Sequence, residues 1–183
     1  TIIIWAAPYV FLAEEEKRNT GIRLFISHLR SFTPDTLDPR YKCLDRLHFQ
    51  LAKIEALEAG YDDVIWLSTD GYVSEGPASN IFMVSKGTLY TPGREVLHGI
   101  TRQTFLDLAE EAGILAVERD LTAFDLYSAD EVFTCSTAGG ALAVREVSGR
   151  PLQGATPGPI TQKLDALYWR LRESGAHGTP IYS

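Results

Sequence analysis

Lys42 occupies the most distinctive position among the five lysines of this chain. It follows a loop that contains Pro34 and Pro39 and precedes a strongly apolar segment with helical spacing. The other lysines fall in charge runs, turns or predicted helix faces. An amine held at such a junction could form an imine with a carbonyl compound. The alternative is an ordinary solvated lysine.

A carboxylate and a glycine-containing loop add to this candidate chemistry. Glu75 lies at the end of a predicted hairpin, where a loop carboxylate can point into a site and pair with a protonated ring nitrogen. The alternative is a surface glutamate. Residues 136–140 read Ser-Thr-Ala-Gly-Gly after a predicted strand. The two glycines would let backbone N–H groups approach an anion closely.

Residues 97–113 predict a tight loop that opens directly into a helix. Apolar residues recur at helical spacing from Arg102 onward, and Gly113 is suited to end the helix. The first N–H groups of a helix have no intrahelical partner and its dipole is positive at that end, so the loop could bind a phosphate. The alternative is that Thr101 only caps the helix.

Together these groups match the requirements of one cofactor. Pyridoxal phosphate needs a Schiff-base lysine, an acidic partner for its ring nitrogen and a phosphate anchor. No metal is expected, because the four histidines show no metal-ligand spacing: His28, His48, His98 and His177.

Composition and charge narrow the class of protein. With 45% hydrophobic and 22% charged residues, the 183-residue chain has the composition of an ordinary soluble globular protein. Its net charge of −7 argues against nucleic acid as the main partner. Two cysteines, and no apolar run near the ~20 residues that span a bilayer, predict a cytoplasmic protein without a membrane segment. Because the chain opens directly in a predicted strand, we expect an N-terminal part of a longer protein to be missing.

Hydrophobic periodicity and turn residues predict an α+β domain with a mixed or barrel-like sheet and flanking helices. The predicted strands cover residues 1–10, 22–29, 64–68, 72–74, 80–85, 88–91, 117–121, 131–136 and 141–147. The predicted helices cover residues 11–18, 44–59, 102–112, 123–128 and 160–172. Residues 31–40 are predicted to form a loop because of their prolines.

The order of these motifs resembles the C-terminal domain of the fold-type IV pyridoxal-phosphate enzymes, over about residues 22–168. That family includes branched-chain aminotransferases, D-amino-acid aminotransferases, aminodeoxychorismate lyases and (R)-selective amine transaminases. The shared motifs are E-A-x-x-x-G from Glu55, D-G-x-x-x-E-G...N-I-F from Asp70, T-P-x-x-x-x-L-x-G-I-T-R from Thr91, A-D-E-V-F-x-x-x-T-A from Ala129 and G-P-I-T from Gly158. The resemblance implies the C-terminal pseudo-barrel domain of the D-amino-acid aminotransferase-like fold at residues 21–183. Residues 1–20 would then end a smaller N-terminal domain and connect the two.

Carried over residue by residue, the resemblance implies a role for each candidate group. Lys42 would bind the cofactor as a Schiff base and then act as acid and base in the proton shift. Glu75 would bind the pyridine nitrogen and keep it protonated. Ile100 and Thr101 would bind the phosphate through backbone N–H groups and the threonine hydroxyl.

The loop after the predicted strand 131–136 would complete the site. Thr137 would add a phosphate contact, while Ala138 and Gly139 would line the substrate side. The resemblance further implies a homodimer and an absent N-terminal domain that supplies a phosphate-binding arginine and much of the substrate pocket.

Details of the motifs favour different branches of the family. T-P-G-R, C-S-T-A-G-G, G-P-I-T-Q and Tyr168-Trp169 look like the (R)-selective amine transaminases. S-E-G-P-A-S-N-I-F is closer to the amino-acid transaminases, and Asp45-Arg46 stand near the place where branched-chain enzymes usually have Asn-Tyr. The predicted activity is transamination between an (R)-amine or amino acid and a 2-oxo acid such as pyruvate or 2-oxoglutarate. The alternatives are a D-amino-acid or branched-chain amino-acid aminotransferase, then an aminodeoxychorismate lyase-like enzyme or a non-enzymatic relic.

Overall fold

A computed structural model of the chain describes residues 2–4 and 13–179. Within these residues, six helices surround one mixed sheet of eight strands. The strands are β1 (Ile22–Arg30), β2 (Asp63–Leu67), β3 (Asn80–Ser85), β4 (Thr88–Thr91), β5 (Ala116–Glu118), β6 (Glu131–Ser136), β7 (Gly140–Val147) and β8 (Arg150–Pro151). The helices are α1 (Glu15–Thr20), α2 (Pro34–Leu37), α3 (Leu47–Glu58), α4 (Ile100–Glu111), α5 (Ala123–Tyr127) and α6 (Pro159–Ser174).

The sheet runs in the order β2-β1-β7-β6-β3-β4-β5, and β8 pairs with β7. β1 is parallel to β2 and β7, and β4 is parallel to β5, whereas the pairs through β3 and β6 are antiparallel.

Residues 72–75 bridge the two edges of the sheet. The Ser74 N–H donates to the Trp66 carbonyl of β2 over 3.0 Å, and the Val73 N–H donates to the Leu121 carbonyl beyond β5 over 2.7 Å. The predicted α+β fold with a mixed sheet and flanking helices is confirmed.

β3 is buried on both faces, and its alternate residues belong to two different cores. Ile81 and Met83 pack in the cluster enclosed by the curved sheet, while Phe82 and Val84 pack beneath α4 and α6. Because side chains of a strand alternate between its faces, one strand supports both layers. The ring of Phe82 stacks on that of Phe133 from β6, with centroids 5.1 Å apart.

α3 packs on the sheet through its small side chains. Ala52 and Ala56 are fully buried against β1 and β2, together with Phe49. The larger apolar residues of the predicted stripe are instead exposed, namely Leu44, Leu47, Leu51, Ile54 and Leu57. The periodicity therefore predicts the helix correctly, but the leucine-rich side of it faces away from the described part of this chain.

Several predicted boundaries differ from the structure. α2 lies inside the predicted loop 31–40 and begins at Pro34, because proline is well suited to the first turn of a helix. α4 begins at Ile100, two residues before the predicted start at Arg102. Residues 72–74 pair with β2 only through the bridge between Leu67 and Val73. The strand predicted over residues 1–10 falls largely outside the described residues, and residues 2–4 have no regular structure.

Cys43 and Cys135 are both free thiols. Within residues 2–4 and 13–179, no helix is long and apolar enough to cross a membrane. The same ranges contain no cluster of side chains that could hold a metal ion.

Glu131 attaches the start of α6 to the start of β6. Its carboxylate accepts hydrogen bonds from the Ile160 N–H over 3.0 Å, the Thr161 N–H over 2.8 Å and the Thr161 hydroxyl over 2.7 Å. These are N–H groups that the first turn of a helix cannot satisfy internally, and a negative charge there also interacts favourably with the helix dipole. The buried carboxylate thus fixes the position of α6 along the sheet.

Phe133→Ala is expected to lower the free energy of unfolding by about 3–5 kcal/mol, because it leaves a cavity where a fully buried ring stood. Phe124→Ala is the matched control, since that ring is 74% exposed on α5. The control should change stability by less than about 0.5 kcal/mol. Urea denaturation followed by tryptophan fluorescence measures both, and equal losses would contradict the assignment of Phe133 to the core.

Candidate active site

A cavity of about 330 Å³ opens beside residues 72–80, between the segment that precedes α3 and the loops at the start of α4 and the end of β6. This volume is within the range of about 300–1,000 Å³ that is usual for small-molecule sites. Its lining contains five of the seven site residues predicted from the sequence: Lys42, Glu75, Ile100, Thr101 and Thr137. Residues far apart in the chain are therefore brought to one place by the fold.

Glu75 is held in the wall of this cavity and is only 4% exposed. Its Oε2 atom accepts hydrogen bonds from Asn80 Nδ2 and from the Leu97 N–H, both over 3.1 Å. Asn80 Nδ2 also donates to the Leu97 carbonyl over 2.9 Å. The interpretation of Glu75 as a surface glutamate is therefore wrong.

Burial raises the pKa of Glu75 from 4.5 to about 7, because the ionised carboxylate loses its contact with water. The Leu97 hydrogen bond and the charges of Arg46, Lys42 and Arg102 oppose this rise in pKa. The carboxyl group therefore titrates near neutral pH. A cationic partner in the cavity would favour its ionised form.

Lys42 lies in the irregular segment between α2 and α3, and its side chain is exposed at the cavity. Arg46 lines the same cavity and is held in place by its neighbours. Its Nη2 donates to the Pro77 carbonyl over 2.9 Å, and its guanidinium carbon lies 3.9 Å from the centroid of the Phe49 ring. The segment thus brings two cationic side chains toward Glu75.

The first turn of α4 forms another wall of the cavity. Its N-cap is Gly99 rather than Thr101, and no side chain caps the helix. The interpretation of Thr101 as the capping residue is therefore wrong, because Thr101 lies within the first turn, where its hydroxyl is 3.5 Å from that of Thr137. A Cβ on Gly99 would clash with Asn80, so glycine lets the backbone lie against this side chain.

The segment after β6 divides between two cavities. Thr137 lines the main cavity, whereas Ala138 and Gly139 line a small neighbouring cavity together with Arg18. The structure therefore brings Thr137 to Thr101 but does not bring the other two predicted residues into the lining of the main cavity.

These groups fit pyridoxal phosphate. An uncapped helix N-terminus beside two hydroxyl groups suits a phosphate, and a buried carboxyl group with a raised pKa suits a protonated ring nitrogen. An exposed amine stands at the same cavity. The residues present can therefore hold each of the polar ends of this cofactor.

Sequence reasoning missed the contributions of Asn80 and Arg46. Asn80 belongs to the N-I-F motif, which was the available signal, but its bonds to residues 75 and 97 depend on the closure of the sheet. The sequence marked Arg46 only as part of Asp45-Arg46, near the place of the family's Asn-Tyr, and its position at the cavity follows from the fold.

The sequence is similar to those of known aminotransferases. Residues 1–147 match the family described as Amino-transferase class IV. The putative branched-chain-amino-acid aminotransferase of Methanocaldococcus jannaschii is 40% identical over 174 residues, which cover 94% of this chain and 59% of that protein. The branched-chain-amino-acid aminotransferase of Pseudomonas aeruginosa is 41% identical over 126 residues, which cover 68% of this chain and 41% of that protein. The chain thus spans less than two thirds of the length of these relatives.

Solved structures show the same fold. The branched-chain aminotransferase of Thermoproteus uzoniensis with norvaline gives a TM-score of 0.87 at 33% identity and covers 96% of this chain and 60% of its own. The Escherichia coli branched-chain amino acid aminotransferase gives 0.86 at 34% identity, with 90% and 55% covered. The Thermobaculum terrenum enzyme in its PLP form gives 0.81 at 33% identity, with 87% and 53% covered. Since the family match extends over more than half of the chain, this chain belongs to the class IV aminotransferases.

Proposed function

We propose that this protein is a pyridoxal-phosphate-dependent amino-acid aminotransferase of the branched-chain type, which moves an amino group between an amino acid and a 2-oxo acid. The observation that carries the proposal is the convergence of Lys42, buried Glu75 and the uncapped start of α4 on one cavity. The relatives named as branched-chain aminotransferases favour this alternative over the (R)-amine specificity. The activity toward (R)-amines is supported only by the similarity of short motifs.

Pyridoxal phosphate, when bound, supplies an aldehyde that condenses with amines and a protonated ring that withdraws electrons from the adjacent carbon. Lys42 Nζ is the amine that would hold it at the open side of the cavity. The backbone of Ile100 and Thr101 would donate to its phosphate at the positive end of α4, with the hydroxyls of Thr101 and Thr137 beside them. Each polar end would thus meet a different element of the fold.

Glu75 determines the protonation of the ring nitrogen. Among the described residues, its Oε2 takes the hydrogen bonds from Asn80 and Leu97, which leaves Oε1 to accept one from a ring N–H. Because the carboxylate is 4% exposed, water does not compete strongly for it. An ionised carboxylate in this position keeps its cationic partner protonated.

Lys42 is the group that would move protons during the reaction. Its amine reaches the cavity from an irregular segment, so it can change position without disturbing a helix or a strand. As a free amine, Nζ would accept a proton from one carbon of the reacting molecule and return it to another. Ala138 and Gly139, to which the resemblance assigns substrate contacts, line the small cavity next to this one.

The proposal predicts that the purified protein absorbs near ~410 nm with added pyridoxal phosphate and that borohydride fixes the cofactor on Lys42. Lys42→Ala should abolish both effects. Lys163→Ala is the matched control, because that lysine is exposed on α6, outside the lining of the cavity, and the control should behave as wild type. A colourless wild-type protein that takes up no cofactor would refute the proposal.

The same preparation identifies the amino donor. Addition of L-leucine should convert the bound cofactor to its amine form, with loss of the ~410 nm band, and 2-oxoglutarate should restore it. D-alanine and (R)-1-phenylethylamine serve as comparison donors. Conversion by the chiral amine and not by L-leucine would transfer the assignment to the (R)-amine branch.

Glu75 predicts a defined pH dependence of stability in the cofactor-free protein. Its pKa is about 7 in the folded chain and near 4.5 in the unfolded chain, so unfolding releases a proton between these pH values. Wild type should therefore lose about 3 kcal/mol of stability relative to Glu75→Gln as the pH rises from 4.5 to 7, and no more above that range.

Denaturation with urea at successive pH values measures this difference. Glu173→Gln is the control, since it makes the same change at an exposed position of α6, and it should change stability by less than about 0.5 kcal/mol. A constant difference between wild type and Glu75→Gln across the range would contradict the raised pKa.

We further propose that the protein is a homodimer in which α3 of one subunit packs against α3 of its partner. Leu47, Leu51, Ile54 and Leu57 form a row at helical spacing, and each is at least 49% exposed. A contiguous exposed apolar row is typical of an interface, and a second copy offers the same row through a two-fold axis. Two charged side chains of the helix are engaged within the chain, since Lys53 pairs with Asp63 and Glu55 accepts a hydrogen bond from Ser27.

Sedimentation velocity tests this interface. Wild type should sediment as a dimer, and Leu51→Lys should sediment as a monomer because it places a charge in the apolar row. Leu115→Lys is the matched control, as Leu115 is 65% exposed but lies outside α3, and it should remain dimeric. A monomeric wild type, or a dimeric Leu51→Lys, would contradict the proposed interface.

A further inference from the structure

The loop between β6 and β7 is held from behind by a carboxylate of α6. Asp165 Oδ1 accepts a hydrogen bond from the Ala141 N–H over 2.8 Å. Gly140 has a φ of +69° and lies against the helix so closely that a Cβ there would contact the same oxygen and lie 3.2 Å from Trp169 Nε1. Since Gly140 pairs with Ser136 to close the hairpin, the base of the loop is attached directly to α6.

Asp165 is partly buried. Burial disfavours its ionised form, and the neighbouring groups oppose this effect. Burial raises the pKa of Asp165, while the Ala141 N–H, the Trp169 side chain and the charge of Arg18 oppose the rise. Asp165 is not part of the lining of the cavity that holds Lys42 and Glu75. A carboxylate withdrawn from water behind the wall of a site, and bonded to the backbone of that wall, is suited to fix its conformation.

α6 also braces the other anion-binding segment. Tyr168 stacks on Phe105 of α4, with ring centroids 5.3 Å apart. Glu131, at the start of β6, binds the N–H groups at the start of α6. The same helix therefore supports the element that carries Thr101 and the loop that carries Thr137, whose hydroxyls are 3.5 Å apart.

We propose that Asp165 is a positioning residue that holds residues 136–140 in the conformation that binds the phosphate, so that α6 sets the spacing between Thr101 and Thr137. The proposal rests on the proposed function, because the phosphate is that of the proposed cofactor. Asp165 lies beyond residues 1–147 that match the family. Its role follows from the contacts of α6 with both segments.

The experiment compares the affinities of the cofactor-free protein for pyridoxal phosphate and for pyridoxal, which lacks the phosphate. Asp165→Leu should lower the affinity for pyridoxal phosphate about tenfold, since the loop loses its buried hydrogen bond. The affinity for pyridoxal should stay unchanged, so the ratio of the affinity for pyridoxal phosphate to that for pyridoxal falls by the same factor. Asp165→Asn keeps an oxygen that can accept from Ala141 and should recover most of the ratio. Glu173→Leu is the matched control, because it makes a similar change at an exposed position of the same helix, and it should leave the ratio unchanged.

Amide hydrogen exchange of the cofactor-free variants separates positioning from general stability. Asp165→Leu should speed exchange at residues 137–141 and leave exchange in β3 unchanged. An unaltered affinity ratio, or unaltered exchange at Ala141, would overturn the proposal. If Asp165→Leu fails to fold, Trp169→Phe removes the indole N–H beside Asp165 together with part of the aromatic ring system, and it should give a smaller change of the same sign. If wild type bound no pyridoxal phosphate, the proposed function would be wrong. The exchange rates at residues 137–141 would still show whether Asp165 holds the loop in place.

Discussion

The carboxyl group of Glu75 is the point at which three otherwise separate segments meet. It belongs to the segment that joins the two edges of the sheet, and it accepts hydrogen bonds from Asn80 at the start of β3 and from the Leu97 N–H before α4. A buried carboxylate is unfavourable unless hydrogen-bond donors meet it. Burial of Glu75 therefore depends on the positions of both Asn80 and the Leu97 N–H. This requirement fixes the loop that leads into α4, and with it the orientation of the helix N-terminus. The acid and the anion-binding end of the cavity are thus set by one shared network.

Behind the cavity, two further carboxylates also bind backbone N–H groups. Glu131 and Asp165 are carboxylates that accept from backbone N–H groups, one at the start of α6 and one at the turn after β6. Charge-assisted bonds of this kind are directional, whereas the apolar packing of Phe105, Phe133 and Tyr168 is not. Apolar packing therefore holds α4 and α6 on the sheet, and the carboxylates determine the register in which they are held. A site that must place two hydroxyls at a fixed spacing needs both contributions.

The sequence allowed the regular elements to be predicted well, because each has a local cause. The apolar run of β3 and the turn at Lys86-Gly87 predict the hairpin with the boundaries that the structure has. Periodicity alone could not show which side of α3 is covered, since alanines and leucines both recur at helical spacing, and the alanines fit closer to the sheet. Residues 72–74 were predicted as a full strand because strand propensity does not reveal that they bridge two edges.

The site was predictable to the extent that its chemistry needs rare residue types. A lysine at the end of a proline-rich loop stands out in any sequence, whereas Asn80, Arg46 and Asp165 act through partners that only the fold brings near. Asp165 is 24 positions from the N–H group that it binds, and no local pattern connects them. Thr101 was ambiguous for a related reason: a hydroxyl at the start of a helix fits both a cap and a ligand contact, and the choice depends on where the chain enters the helix.

The division between buried and exposed groups follows from what each must do. The groups that would hold the ring nitrogen and the phosphate need not move, and accordingly Glu75 and Thr101 are at most 7% exposed and belong to the hydrogen-bonded framework. The amine that would exchange its bonding partner and carry protons must move, and Lys42 is exposed on an irregular segment outside every helix and strand. If Lys42 were on α3 instead, each displacement of its Nζ would act against the packing of Ala52 and Ala56 on the sheet. Placing the amine just before the helix keeps it close to Glu75 while leaving the helix free to pack without change.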